Sequence, residues 1–191
     1  GGEKVCHFLP IYYFACLWIV VGISVLGRDA IVILTESSYH GAFVFVPIVA
    51  LAYLFQSWYR PFNEILNFYK KTVLVAIGSV IQGVANLLLN ILLVPKYGAM
   101  GASWATFVSL FLLGVFVFVW SQKIHPITLC YKRFAGITVL AIICWGILSH
   151  FDEAIFSLGL IWSILIKGLT VCIFIALTFV FKILRLKDLK N

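Results

Sequence analysis

Polar residues punctuate this chain at intervals that leave six long apolar runs, at about residues 8–26, 43–66, 72–94, 100–120, 134–151 and 155–181. Each run comes close to the ~20 mainly apolar residues that a helix needs to cross a bilayer at 1.5 Å rise per residue. None alternates strictly between apolar and polar positions, which argues against a β-barrel. The pattern predicts an all-α fold, a polytopic membrane protein of six transmembrane helices, forming one helical domain over residues 1–191. The widest connection is 28–42. Its first half, Ala30 to Leu34, is apolar and extends the first run or lies at the interface, and its second half, Thr35 to Gly41, is turn-like.

Composition points the same way. The chain is 63% hydrophobic and 11% charged, with a mean hydropathy of +1.11, against the ~45–50% apolar content of a soluble domain. A water-soluble fold of 191 residues has no interior large enough to hide that excess, so lipid is the expected solvent. Five cysteines (Cys6, Cys16, Cys130, Cys144, Cys172) form no CxxC pair, and three lie inside apolar runs. They read as small buried hydrophobes, with no disulfide framework and no metal site.

The net charge of +7 would suggest nucleic acid if the cations were scattered over a soluble surface, but they are not. With the N-terminus cytoplasmic, one side holds Lys4, Lys70, Lys71, Lys123, Lys132, Arg133, Lys182, Arg185, Lys187 and Lys190, and the other only Arg28 and Lys96, beside Asp29, Glu36, Asp152 and Glu153. This positive-inside bias predicts a multi-pass protein of the inner (cytoplasmic) membrane with both ends of the segment cytoplasmic, and no nucleic-acid partner.

Three charged residues and a row of amides fall inside the runs. Gln82, Asn86 and Asn90 are spaced four apart and so share one helical stripe. Unpaired amides in hydrocarbon cost several kcal/mol each. The stripe therefore faces another helix, through interhelical hydrogen bonds, or lines a wet cavity for a polar ligand. Pro95 and Gly98 end the run, and Gly101, Ala105 and Ser109 then repeat as a small-xxx-small row that allows close helix approach. A tight helical hairpin is predicted. Lys167 sits near the middle of the last run, where it contacts a phosphate or pyrophosphate head group, or else snorkels along its stem or faces a polar neighbour helix. Arg60 and Glu64, four apart in the second run, either pair with each other at the interface or present a phosphate-binding fork with a carboxylate partner. His7, His40, His125 and His150 lie in or beside loops, and no Ser-His-Asp order, phosphate loop or metal-ligand spacing is present.

The segment NLLLNILLVPKYGAMGASWATFVS resembles one found in polysaccharide flippases. There, an Asn-rich helix ends in Pro-basic-aromatic-Gly and restarts as Gly-x-x-Gly-Ala-Ala-x-Ala-Thr. Asn86, Asn90, Pro95, Lys96, Tyr97, Gly98, Gly101, Ala102, Ala105 and Thr106 match, and Tyr39 and Ala42 look like the same family's outer Tyr-x-x-Ala turn. Ser103 departs from the second of the two alanines. The resemblance covers roughly residues 30–121 and is to the O-antigen, capsule and teichoic-type branch of the multidrug/oligosaccharidyl-lipid/polysaccharide exporter superfamily. Members carry roughly twice as many spans in two lobes, so the chain looks like a C-terminal part whose partner is a missing N-terminal lobe.

The resemblance implies a flippase, not an enzyme. It would carry polyprenyl-pyrophosphate-linked oligosaccharide across the membrane by alternating access, with no cofactor and no metal. Arg60, Glu64, Gln82, Asn86, Asn90 and Lys167 are the candidate substrate-binding residues. The alternatives are a related drug or metabolite exporter, a membrane enzyme of glycan assembly, or a non-transporting remnant. An exporter of apolar drugs would want carboxylates inside its spans, and only Glu64 is expected there. An enzyme would want catalytic groups on a long outer loop, and the longest carries only Asp29, Glu36 and His40.

Overall fold

The structure, a computed structural model, describes residues 2–127, 129 and 131–180, and the side chains among these from residue 8 to residue 178. The cations Lys182, Arg185, Lys187 and Lys190, the Cys130 thiol and the end of the sixth run at Phe181 lie outside the described residues, as do the side chains of Lys4, Cys6 and His7. Most of the described residues are helical, and none is in a strand. The elements are α1 (Gly2–Leu34), a 3₁₀ segment (Ser37–Phe45), α2 (Val46–Phe68), α3 (Thr72–Ile124), α4 (Tyr131–His150), α5 (Asp152–Ser157) and α6 (Leu160–Val180). Five helical segments are long and apolar enough to cross a membrane: Phe8–Leu34, Ser37–Phe68, Thr72–Ile124, Tyr131–His150 and Leu160–Thr178. A multi-pass membrane protein is the architecture these segments support.

Five segments rather than six arise because the third and fourth apolar runs join in one 53-residue helical stretch, α3. Straight, it would be roughly 80 Å long, far more than any bilayer. It is not straight, because Gly98 takes φ 56° and ψ −134°, a conformation that only glycine adopts cheaply. The arms then run back along each other. A Cβ on Gly101 would sit 2.5 Å from the Leu93 carbonyl oxygen, Asn86 bonds Ser109, and a Cβ on Gly78 would sit 2.9 Å from the Phe116 ring. As one residue number falls from 93 to 78, its partner rises from 101 to 116, which is the signature of antiparallel packing.

Other helix ends have local causes. Lys70 at φ 55° reverses the chain after α2, with Lys71 N–H donating to the Leu66 carbonyl and Lys70 N–H to that of Asn67. This is the pair of bonds of a Schellman motif, with lysine in the usual glycine place. Gly159 at φ 107° separates α5 from α6. The sixth run was expected to be unbroken from 155, so its first residues belong to α5 instead. α1 continues to Leu34, which places Arg28 and Asp29 inside a helix and not in the loop where the charge pattern put them.

The chain divides into two compact units, one of Gly1–Pro47 with Thr128–Asn191, the other Ile48–Ile127. In the first, α1 packs on α4 and α6. Leu17, Val21 and Val25 form a buried stripe on α1, and Ile137, Ala141, Cys144 and Leu148 one on α4; both repeat every three or four residues, as one helix face must. Tyr13 and Thr138 share a hydrogen bond of 2.9 Å between their hydroxyls. In the second unit α2 lies on the returning arm of α3. The Phe62 ring is fully buried and meets Phe118 edge-on at 5.0 Å, and Phe55 meets Phe111 in the same way, also at 5.0 Å. The leading arm of α3 leaves Val73, Val80, Val84, Leu87, Ile91 and Leu92 exposed, a surface suited to acyl chains or another apolar partner.

Candidate functional site

The polar groups of the two units behave differently. In the second unit the amide stripe turns into the hairpin. Asn86 donates through Nδ2 to Ser109 Oγ at 3.1 Å, across the two arms. Asn90 donates through Nδ2 to the Asn86 carbonyl at 2.9 Å and to Asn86 Oδ1 at 3.1 Å. Ser109, fully buried, passes its own hydroxyl hydrogen to the Thr106 carbonyl. The small residue at 109 thus leaves room for a neighbouring helix and also receives its amide. The Asn86 bond crosses between the arms, as the interhelical reading requires, whereas Asn90 bonds within its own arm and holds Asn86. Gln82, half-buried one turn earlier, has no described hydrogen-bond partner.

Arg60 and Glu64 are both exposed on α2. No described ion pair joins them, although they are spaced for one, and no other described side chain engages either. Trp58, two residues before Arg60, packs its ring against Phe62 at 5.3 Å. Pro61 removes the backbone donor next to Arg60. Arg60 is therefore a free guanidinium on an apolar helix, with its five donors available.

The first unit holds a charge network that sequence reasoning missed. Lys167, fully buried on α6, donates through Nζ to Asp29 Oδ2 on α1 at 2.6 Å and pairs with Asp152 Oδ1 on α5 at 2.5 Å. Asp152 Oδ2 in turn accepts from Arg28 Nη1 at 2.8 Å. The Arg28 guanidinium also lies 4.2 Å from the Phe156 ring centroid and 5.3 Å from that of Phe43, within the ~6 Å reach of a cation–π contact. Two cations and two carboxylates sum to zero, which is the condition for keeping ammonium and carboxylate in a low-dielectric interior. Asp29 Oδ1 and, one turn before Lys167 on the same helix, Ser163 Oγ are buried without described partners.

Lys167 thus has the polar neighbour that one of its two sequence readings required. Its charge is matched inside the fold, while Arg60, Glu64 and Gln82 are not engaged. The signal that could have identified Asp29 is depth. A buried cation needs an anion at its own level, and Asp29, five residues from the end of α1, matches Lys167, seven residues into α6.

Asp152 carries a testable electrostatic consequence. Burial alone would push its carboxyl up. Hydrogen bonds from Lys167 and Arg28, with their charges, outweigh that and hold it below its ordinary value of 3.8. A depressed carboxylate stabilises the fold fully above its unfolded value and loses that contribution as pH falls through the lower, folded one. Acidification to below 3.8 should therefore lower the thermal midpoint of the detergent-solubilised chain. The Asp152→Asn variant should start lower and lose less over the same interval, as read by tryptophan fluorescence.

Compared with protein families, curated proteins and solved structures, the chain matches none of them.

Proposed function

We propose that this chain forms part of a flippase that carries polyprenyl-pyrophosphate-linked oligosaccharide from the inner to the outer leaflet of the cytoplasmic membrane. In this reading each arm of α3, about 26 residues or roughly 39 Å long, is a crossing of its own. The two arms bring the crossings to six, and the clustered lysines keep both termini cytoplasmic. A second lobe completes the cavity, and transport proceeds by alternating access without covalent chemistry.

The observation that carries the reading is the hairpin at Pro95–Gly98. The residues through which the sequence resembles polysaccharide flippases, Asn86, Asn90, Gly98 and Gly101, are the ones on which the turn and the contact between its arms depend. Asn86 and Asn90 then serve mainly to fix the hairpin. Recognition of the cargo falls to Arg60, whose planar fork suits phosphate oxygens, with Glu64 and Gln82 as the unengaged polar groups of the same unit. Lys167 contributes to the fold of its own unit.

Deleting the encoding gene in the source cell tests this. Lipid-linked oligosaccharide should accumulate on the cytoplasmic leaflet and surface glycan should disappear, both restored by the intact gene. The Arg60→Ala gene should restore surface glycan about tenfold less well or worse, equivalent to losing one charge-assisted hydrogen bond of ~1.5–3 kcal/mol. Unchanged surface glycan in the deletion strain would end the transport reading. Full restoration by Arg60→Ala would remove Arg60 from the site.

A further inference from the structure

Beside the charge network lies an apolar groove of about 420 Å³. Ile147 and Leu148 of α4, Ile155 and Leu158 of the α5 segment, and Ile166 and Thr170 of α6 line it. None of the four charged residues lines it, but groove and network share two helices: Ile166 precedes Lys167 on α6, and α5 carries Asp152 at its first residue.

Asp152 is the more accessible of the two carboxylates. It lies on a six-residue helix between two apolar segments, just after α4 ends at His150. Its side chain is 19% exposed against 1% for Asp29, and of the two cations Arg28 is at 24% and Lys167 at 0%. It bridges both cations, one through each oxygen. If Asp152 swings out, Arg28 stays seated between the rings of Phe43 and Phe156, and Lys167 stays on Asp29. What remains is short of one negative charge, and two oxygens are missing from between a guanidinium and an ammonium.

A phosphodiester supplies that charge and that geometry. The level is also right. Asp152 marks the end of the apolar segments, where head groups begin. Arg28 and Lys167, some six or seven residues inside, reach outward along their stems, as long cationic side chains do at an interface. Size is compatible with an acyl tail. A methylene takes about the volume of a liquid water molecule, roughly 30 Å³, so the groove seats about fourteen, close to the length of one acyl chain.

We infer that the Arg28–Lys167 pair and the groove under α5 form a site for an anionic bilayer phospholipid, with Asp152 as an internal anion that the lipid phosphate displaces. The inference does not depend on the transport reading. The lipid would keep the Asp152 side chain turned out of the network while Phe156 stays on Arg28, so the anionic content of the membrane would set the state of this end of the unit.

Native mass spectrometry of the detergent-solubilised chain tests it, with phosphatidylglycerol, phosphatidylcholine and a long-chain polyprenyl phosphate as probes. Phosphatidylglycerol should be retained at least fivefold more than phosphatidylcholine and should displace the polyprenyl phosphate. Asp152→Asn should raise phosphatidylglycerol retention about threefold, because the competing carboxylate is gone. Leu158→Trp, which fills the groove and leaves every charge in place, should reduce it about fivefold, and Arg28→Gln should do the same.

Equal retention of the two phospholipids would overturn the inference, as would weaker phosphatidylglycerol binding by Asp152→Asn. Preferential retention of the polyprenyl phosphate would overturn the assignment to a bilayer lipid. Should Arg28→Gln fail to fold, the Asp152 and Leu158 variants still decide, since one adds binding and the other removes it without touching a cation.

Discussion

Replacing Lys167 with methionine should unfold the first unit far more readily than replacing Asp29 with leucine, although the two residues are partners. The asymmetry follows from how many partners each has. Lys167 meets both Asp29 and Asp152, so without Asp29 its ammonium keeps a carboxylate. Asp29 is 1% exposed and has no other described cation. In Lys167→Met its charge is stranded in a low-dielectric interior, at a cost of ~3–5 kcal/mol for a buried ion left unpaired. Asp29→Leu should cost less, about the ~1.5–3 kcal/mol of one charged hydrogen bond. The double variant should recover most of the stability, because a buried ion pair replaced by apolar side chains of similar volume is often neutral or better. Arg28 and Asp152 would remain as a partly buried pair. Denaturant unfolding of the four proteins in the same detergent decides the matter. Equal losses in the two single variants, or a double variant as unstable as Lys167→Met, would show that the network does not carry the charge as described.

That network illustrates why the fold was more legible than the site. Apolar run length located α1, α2, α4, α6 and both arms of α3, because each helix must bury or expose a continuous stretch whatever else it does. The hairpin was readable too, since proline and glycine punctuate locally. The joining of the arms in one continuous helical stretch was not. Pro95 and its neighbours remain helical and the whole reversal falls on the dihedrals of Gly98, which residue type permits but does not dictate. The break at Gly159 failed for the same reason. Asp29 was misread because it follows Gly27 and Arg28, and adjacent charges at the edge of an apolar run look like the start of a loop. Its partner is 138 residues away, and no periodicity records so distant a contact. Arg60 and Glu64 show the converse. Their spacing suggested an ion pair, and the fold leaves them apart and exposed. Spacing on a helix makes such a pair possible, but an exposed pair gains so little over solvated charges that the contact need not form.

Gly101 is the position at which the hairpin should prove least tolerant. A Cβ built there lies 2.5 Å from the Leu93 carbonyl oxygen and 2.7 Å from its carbon. Both atoms belong to the backbone of the opposite arm, which cannot rotate away as a side chain can. Gly101→Ala must therefore push the arms apart close to the turn. Further along the arms, the Asn86–Ser109 bond at 3.1 Å would stretch beyond hydrogen-bond range. The partly buried Asn86 amide would lose its partner on the other arm, adding ~1–3 kcal/mol to the lost packing. Gly98→Ala should also destabilise, by ~1–3 kcal/mol, through its φ of 56° and ψ of −134°, but a Cβ there meets nothing within 4 Å. Its damage is confined to the turn, and the Asn86–Ser109 bond should survive. Gly83→Ala has open space around the new methyl and an ordinary helical backbone, so it should leave stability unchanged or slightly raised, by up to ~1 kcal/mol. Thermal unfolding ranks the three. Cysteines at 86 and 109 in a background lacking the native ones separate the mechanisms: cross-linking should be efficient with Gly98→Ala and lost with Gly101→Ala. A Gly101→Ala protein that cross-links normally and unfolds with the parent would show that the arms are not packed backbone to backbone. The polar stripe of the leading arm would then be free to face a wet cavity, the second of its two sequence readings.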